Sequence, residues 1–232
     1  MSQESAQSSV AAATGTDVNF KCQVVACLTG FHLNASLLAM ESAQKIEGYI
    51  KECQQGEIPT CQRNYISYSA SSIISAVAAL ESNINEILLF YVKVPHNNSD
   101  EKCDDYHPDK LIIEIFERQL PVIKKYNIIS CSLAGEPIPE REQQDIMLLI
   151  KIRNLLIHYS PEIEKELKSN SKLNKLINQI KNKRKFPYSP LFNDTKYPFF
   201  PHRIICAPTA EWAYNTVNEF IEIYKKRLNL ND

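Results

Sequence analysis

The sequence predicts an all-α protein, and two observations support that prediction. Glycine is scarce, with five residues among 232, whereas a sheet protein of this length would need many more turn residues. Long segments also repeat apolar residues at helical spacing. A chain of this length can bury a substantial core, so we expect one helical domain over residues 19–232.

Composition predicts a soluble, cytoplasmic protein without a bound metal or cofactor. Residues 1–18 are rich in Ser, Ala, Gln and Thr, which is typical of a disordered tail and lacks the pattern of a secretory signal. The seven cysteines are scattered without a CxxC pair, which favours reduced thiols over zinc ligation. His32 and Asn34 interrupt the apolar segment 24–40, so it is too short for a membrane span.

The first half of the chain predicts two helices. Apolar spacing indicates a first helix over residues 33–53, with Gly30 as a break before it. Gly56 and Pro59 are expected to end that helix, and a long second helix follows over 64–92. Its apolar stripe consists of Ile73, Val77, Leu80, Ile84, Ile87, Leu88 and Tyr91.

The second half predicts three further helices. Apolar spacing indicates helices over 111–125, 140–159 and 209–228, with another segment over 162–180. Residues 186–208 are rich in proline and aromatic residues, which indicates an extended loop before the last helix. The polar stretch 94–110 contains His96 and His107 among aspartates, but it lacks a recognised ligand spacing and is interpreted as a solvated loop.

The helix of 140–159 contains an unusual combination of residues, "LLIKIRNLLIHYSPE". At about 100° per residue, Arg153 falls within the apolar sector, while Asn154 and His158 form a polar edge beside it. A buried charge costs several kcal/mol unless it is paired. One explanation is structural: Arg153 pairs with an internal carboxylate, Glu81 being the first candidate, and Asn154 and His158 fix the helix end.

A second explanation comes from the order of these residues. The stretch "RNLLIH" has an arginine, an asparagine, three apolar residues and a histidine. Together with "AALESNINEILLF" before it, "HYSPE" after it and the closing helix "APTAEWAYNTVNEFIEIYKKRL", it resembles the HEPN family, helical domains of prokaryotic toxins and antiviral systems. The resemblance covers roughly residues 33–228 and implies an up-and-down HEPN-like helical bundle.

The resemblance also implies an activity, that of a metal-independent endoribonuclease. The RNA 2′-hydroxyl attacks the neighbouring phosphate in a cleft where the two protomers of a homodimer meet. Arg153, Asn154 and His158 are then the catalytic residues, supported by Glu81 and Asn85. An imidazole can move a proton at neutral pH, and a guanidinium can bind phosphorane oxygens through two parallel bonds. A cognate antitoxin is a further partner that a toxin role implies.

A basic segment is the candidate surface for RNA. Residues 167–185 carry seven basic and no acidic side chains; against an overall charge of −1, the rest of the chain carries −8. We single out Lys181, Lys183, Arg184 and Lys185 as RNA-binding residues. A solvated lysine-rich helix is the alternative. The aromatic residues that follow either stack on bases or pack against one another.

Two other functions remain open from the sequence. The chain is either a non-catalytic HEPN-like module that binds a nucleotide or protein partner, or a monomeric helical adaptor with an exposed apolar groove. Position distinguishes catalytic from structural residues. Catalytic side chains should open onto a cleft, whereas a structural Arg153 should be sealed against a carboxylate.

Overall fold

The computed structural model describes residues 28–52, 58–88, 116, 119–158, 172–183, 186–189, 191–192 and 199–230. Its helices are α1 (Leu28–Glu52), α2 (Ile58–Leu88), α3 (Val122–Ala134), α4 (Glu140–Ile157), α5 (Lys172–Asn182) and α6 (Ala207–Arg227). No strand occurs within these ranges, so the all-α prediction is confirmed. The predicted tail of residues 1–18 and the loop with His96 and His107 lie outside the described residues.

Helix α2 is the central element of the fold. It forms the most extensive helix pair with α1 and also contacts α3, α4 and α6. Successive contacts of Thr29 with Glu86 and of Ser36 with Ser72 show that α1 and α2 are antiparallel. The predicted stripe of α2 is buried from Ile73 to Leu88, whereas Tyr91 lies outside the described residues.

Two predicted helix boundaries in this pair are wrong. Gly30 does not break a helix, because it lies within α1. One glycine costs a helix only about 1 kcal/mol, and the next-door Thr29 donates two hydrogen bonds to Glu86 that hold this turn in place. The first helix ends at Glu52, before Gly56 and Pro59 as expected, but the second helix begins at Ile58 and not at residue 64, so Pro59 lies in its first turn. A proline is tolerated there because the first N–H groups of a helix have no intrahelical partner.

The predicted third helix is interrupted at Pro121: Phe116 and Gln119 before it are helical, and a separate helix follows it. We expected residues 111–125, but α3 begins after Pro121, whose ψ of 144° is not helical, and continues to Ala134. Gly135 ends it with a φ of 79°, a left-handed conformation that glycine adopts readily. A helix that runs through Pro121 is therefore wrong. Residues 111–115 lie outside the described part of the chain.

The later helices agree with the sequence where they are described. Helix α4 ends at Ile157, and His158 is its C-cap residue. Helix α5 covers the end of the predicted segment 162–180, whose first half is not described. Helix α6 buries its predicted face of Ala213, Val217, Phe220, Ile221, Tyr224 and Leu228.

The aromatic loop packs against itself and the core. The ring centroids of Phe186 and Tyr188 lie 5.5 Å apart, and those of Tyr188 and Phe199 lie 5.8 Å apart. A short irregular turn, Phe199–Arg203, contains a cis peptide bond between Phe200 and Pro201. Packing of the loop's aromatics is thus confirmed for these residues. None of the helices in the described part of the chain is both long and apolar enough to cross a membrane.

Candidate functional site

The polar residues of α4 occupy two different positions around the helix. Lys151, Asn154 and His158 are exposed, whereas Arg153 is half-buried. The backbone N–H of His158 donates to the carbonyl oxygen of Asn154 over 3.0 Å, which closes the last turn of the helix. The side chain of His158, at the C-cap position, is exposed.

Arg153 forms an ion pair between helices. Its Nη2 atom donates to Oε1 of Glu81 on α2. The side chains are 18% and 42% exposed, respectively, so the pair is not sealed from solvent. Nε of Arg153 is buried and has no hydrogen-bond partner. The pairing with Glu81 proposed from the sequence is confirmed, but the guanidinium still has unused hydrogen-bonding capacity.

A groove separates the exposed faces of α4 and α5. It has a volume of about 830 Å³ and is lined by Lys151, Asn154, Leu155, His158, Lys175, Leu176, Asn178, Gln179 and Asn182. We call it the α4–α5 groove. Its described lining contains two lysines, a histidine and four side-chain amides but no carboxylate. Such a surface suits an anionic ligand.

The groove has a defined direction. Nζ of Lys151 donates to Oε1 of Gln179 over 3.0 Å, and Lys183 pairs with Asp145. These two contacts show that α5 runs antiparallel to α4. Lys151 and His158 are seven residues apart on one face, which corresponds to about 10 Å along the helix axis. A ligand that reaches both side chains therefore extends along the groove.

The structure does not bring all the predicted catalytic residues together. Asn154 and His158 line the α4–α5 groove, whereas Arg153 points to Glu81 and is not part of the lining. At about 100° per residue, Arg153 and His158 are about 140° apart around the helix, and this separation was expected from the sequence. Asn85 accepts a hydrogen bond from Nζ of Lys125 over 3.1 Å. In this chain Asn85 therefore fixes a buried lysine of α3.

Two of the predicted RNA-binding residues, Lys181 and Lys183, lie at the C-terminal end of α5 and are not part of the groove lining. Lys181 is exposed, and its Nζ lies 4.9 Å from the centroid of the Phe199 ring. Lys183 is paired with Asp145 and lies 5.0 Å from the Trp212 ring, so its charge is already compensated. Arg184 and Lys185 lie outside the described residues.

Sequence reasoning did not single out several residues of the groove. Lys151 and the amides of α5 were not among the predicted site residues. The signal was present in "LNKLINQIKN", where Lys175, Asn178 and Asn182 share the side of α5 opposite its buried leucines and isoleucines. Recognising it required knowing that α5 packs beside α4.

The buried thiol of Cys206 is poorly suited to catalysis. Burial raises the pKa of the Cys206 thiol to about 11, so it remains protonated at neutral pH. Its Sγ atom contacts Oγ1 of Thr209 at 3.1 Å at the start of α6. Within the ranges that the structure describes, no group of three His, Cys, Asp or Glu side chains is arranged to hold a metal ion.

Comparisons with protein-family models, curated proteins and solved structures gave no match. The site is therefore interpreted from its own geometry and chemistry.

Proposed function

We propose that this protein is a metal-independent endoribonuclease of the HEPN type that acts as a homodimer. The observation that carries the proposal is the position of His158 and Asn154. Both are exposed in a groove with Lys151 and Lys175, and the described lining has no carboxylate to repel a phosphate. A proton-transfer group beside cations is the arrangement that transesterification of RNA requires.

The chemistry assigns a role to each side chain. His158 accepts the proton of the 2′-hydroxyl as the 2′-oxygen bonds to phosphorus, or donates a proton to the departing 5′-oxygen as its bond to phosphorus breaks. The products are a 2′,3′-cyclic phosphate and a 5′-hydroxyl. Lys151 and Lys175 bind phosphates along the strand, and the amide of Asn154 orients the scissile phosphate or the imidazole.

Arg153 enters this mechanism through the dimer. In one chain its guanidinium faces Glu81, away from His158. Met147 and Ile157 are 40% and 49% exposed on α4, beside the polar face of the helix. A second copy that docks on α4 covers these residues and brings two motifs to one cleft, where Arg153 stabilises the charge of the transition state.

A cleavage assay tests the proposal. Purified protein is incubated with single-stranded RNA in EDTA, and the product ends are identified by mass spectrometry. We expect cleavage that leaves 2′,3′-cyclic phosphate, and a loss of about 100-fold or more in His158→Ala. His32→Ala, which alters a histidine on α1, is the matched control. Loss of wild-type cleavage in EDTA, or full activity of His158→Ala, contradicts the proposal.

A role as a toxin or host-defence effector follows from this activity. Free ribonuclease activity in a bacterial cytoplasm stops growth unless a partner, such as an antitoxin protein, restrains it. Induced expression should arrest growth, and His158→Ala should relieve the arrest at equal protein level. Equal arrest by both proteins would separate toxicity from RNA cleavage.

The ion pair of Arg153 with Glu81 favours a second candidate, a non-catalytic helical module that binds a nucleotide or protein. In that case the pair only joins α2 to α4, and the groove binds its ligand without chemistry. RNA binding without cleavage by wild-type protein distinguishes this candidate from the first.

A further inference from the structure

The α5 side of the groove is rich in amides as well as basic. Asn178, Gln179 and Asn182 are all exposed there, and Asn154 faces them from α4. Oε1 of Gln179 is occupied by Lys151. Among the residues that the structure describes, none forms a hydrogen bond with the side chain of Asn178 or Asn182. The phosphate-binding role proposed for this groove uses its lysines and histidine. It leaves this pair of asparagines without a function.

Amides recognise a different part of a nucleic acid than lysines do. A carboxamide has an acceptor and a donor side by side and carries no charge, so it matches base edges better than phosphates. Adenine presents such a donor–acceptor pair through N6 and N7, and asparagine binds this edge with two hydrogen bonds. The corresponding edge of guanine has two acceptors, N7 and O6, and cannot pair in the same way.

The positions of these asparagines suit a base inserted beside the phosphate backbone. Asn178 and Asn182 are four residues apart on one face of α5, a spacing of about 6 Å. Leu155, which is partly exposed, provides apolar surface in the same groove for the face of a base. Lys151, Lys175 and His158 provide the polar contacts for the backbone. A base can enter only if it is unpaired, since the N6/N7 edge of a paired adenine lies in the deep, narrow major groove of an A-form duplex, which side chains do not reach.

We propose that Asn178 and Asn182 form a base-reading surface that selects an unpaired adenine in single-stranded RNA next to the cleaved bond. This proposal deepens the proposed ribonuclease function and rests on it for the identity of the ligand. Lys151 holds a neighbouring phosphate two helical turns from His158, so the base and the scissile phosphate are positioned by opposite sides of one groove.

Binding and cleavage are measured separately to test this inference. Fluorescence anisotropy with short oligonucleotides that differ only in one central base, A, C, G or U, is performed on His158→Ala protein, which leaves the RNA intact. We expect adenine to bind about 10-fold more tightly than the other bases, the scale of one good amide–base pair. The same oligonucleotides in a duplex should bind without that preference. Wild-type cleavage of the four single strands should follow the same order.

The variant Asn178→Ala/Asn182→Ala tests the residues themselves. It should reduce the adenine preference to about twofold or less. Its circular dichroism spectrum and its affinity for a cytosine oligonucleotide should remain near those of the His158→Ala protein. Asn215→Ala, which removes an exposed amide on α6, is the matched control and should keep the preference.

The outcomes distinguish the inference from the function on which it rests. Cleavage without any base preference overturns the adenine-reading surface and leaves the ribonuclease proposal intact. Adenine-selective binding without cleavage supports the surface and contradicts the ribonuclease. An adenine preference that persists in the double variant, or one that Asn215→Ala removes, assigns base reading to other residues and overturns the inference.

Discussion

The guanidinium of Arg153 on α4 is ion-paired with the carboxylate of Glu81 on α2, a residue 72 positions earlier in the chain. Because both side chains are partly exposed, solvent screens the pair, and such pairs contribute about 0–1 kcal/mol to stability. The unpartnered Nε of Arg153 adds a small desolvation cost. We therefore expect Arg153 to contribute little to the stability of the fold, which is compatible with a role in binding.

Replacing Arg153 by alanine should abolish RNA cleavage while the fold survives. A loss of about 1 kcal/mol lowers the Tm of a chain of this length by only about 2–4 °C. The variant Arg153→Lys should recover little activity, because an ammonium cannot make two parallel bonds to a phosphate. Differential scanning fluorimetry and the cleavage assay are applied to both variants.

Glu81→Gln is the companion to that experiment. It removes the charge partner but keeps the side chain's shape, so a structural pair predicts equal destabilisation by Glu81→Gln and Arg153→Ala. A large fall in Tm for both variants, with activity retained in the folded fraction of Arg153→Ala, would show that the pair serves the fold.

The proposed dimer should depend on the exposed face of α4. Met147→Glu places a charge among its apolar side chains and should convert the dimer to a monomer at micromolar concentration, as measured by light scattering. Leu38→Glu is the matched control, because Leu38 is 55% exposed on α1 instead. Dissociation by Leu38→Glu but not by Met147→Glu would place the interface on α1, and a monomeric wild type would contradict the composite site.

The spacing of apolar residues predicted which faces of two helices are buried. The stripe of α2 from Ile73 to Leu88 and the buried face of α6 follow from spacing alone. The pairing of Arg153 with Glu81 could also be predicted from the sequence, because a charge in an apolar sector requires a partner. Pro59 and Pro121 were misjudged in different ways: Pro59 begins a helix although it was expected to follow the end of one, and Pro121 precedes α3 although it was placed inside a helix.

The groove was not predictable from any single segment. It exists because α5 packs antiparallel to α4, and that depends on contacts between residues far apart in sequence, such as Lys151 with Gln179. The burial of Lys125 is a similar case. Lysines are rarely buried, and only the fold brings this one to Asn85 and the ring of Phe116.

Tyr65→Phe should destabilise the protein without affecting RNA cleavage. The buried hydroxyl of Tyr65 donates to Oε2 of Glu47 over 2.8 Å and accepts the backbone N–H of Ala207 over 3.0 Å, which joins α1, α2 and α6. Leaving those buried groups unpaired costs about 1–3 kcal/mol, or a fall in Tm of about 2–12 °C. Tyr68→Phe alters an exposed tyrosine of α2 and should change neither quantity. Equal melting of both variants would contradict the role of the Tyr65 hydroxyl.

Glu86→Gln should stabilise the protein increasingly as pH rises. Burial raises the pKa of the Glu86 carboxyl above the 4.5 of an ordinary glutamate, and the hydrogen bonds from Thr29 only partly oppose this effect. As pH rises above 4.5, the Glu86 carboxyl therefore loses its proton in the unfolded chain before it does so in the folded protein. Stability decreases with rising pH until Glu86 is also ionised in the folded protein. Glutamine keeps both contacts with Thr29 and has no proton to lose.

The difference in Tm between Glu86→Gln and wild type, measured from pH 4.5 to pH 8, checks this prediction, because the other titrating groups are common to both proteins. The ionised carboxylate also experiences favourable charges from His32 and Lys225. If glutamine becomes the less stable variant at pH 8, the charge of Lys225 outweighs the cost of burial.

Lys175→Ala should weaken RNA binding in a way that depends on salt. Lys175 is exposed in the α4–α5 groove near no described carboxylate of the lining, so its charge is available to a phosphate. Each phosphate contact with a single strand contributes about 0.7 to the slope of log K against log salt concentration, because binding releases a counterion. The variant should lose about 0.7 from that slope, with the largest loss of affinity at low salt. Lys124→Ala, which removes an exposed lysine of α3, should leave the slope unchanged. Equal slopes for wild type and Lys175→Ala would mean that the phosphates of the RNA follow another surface, and the assignment of the groove would fail with it.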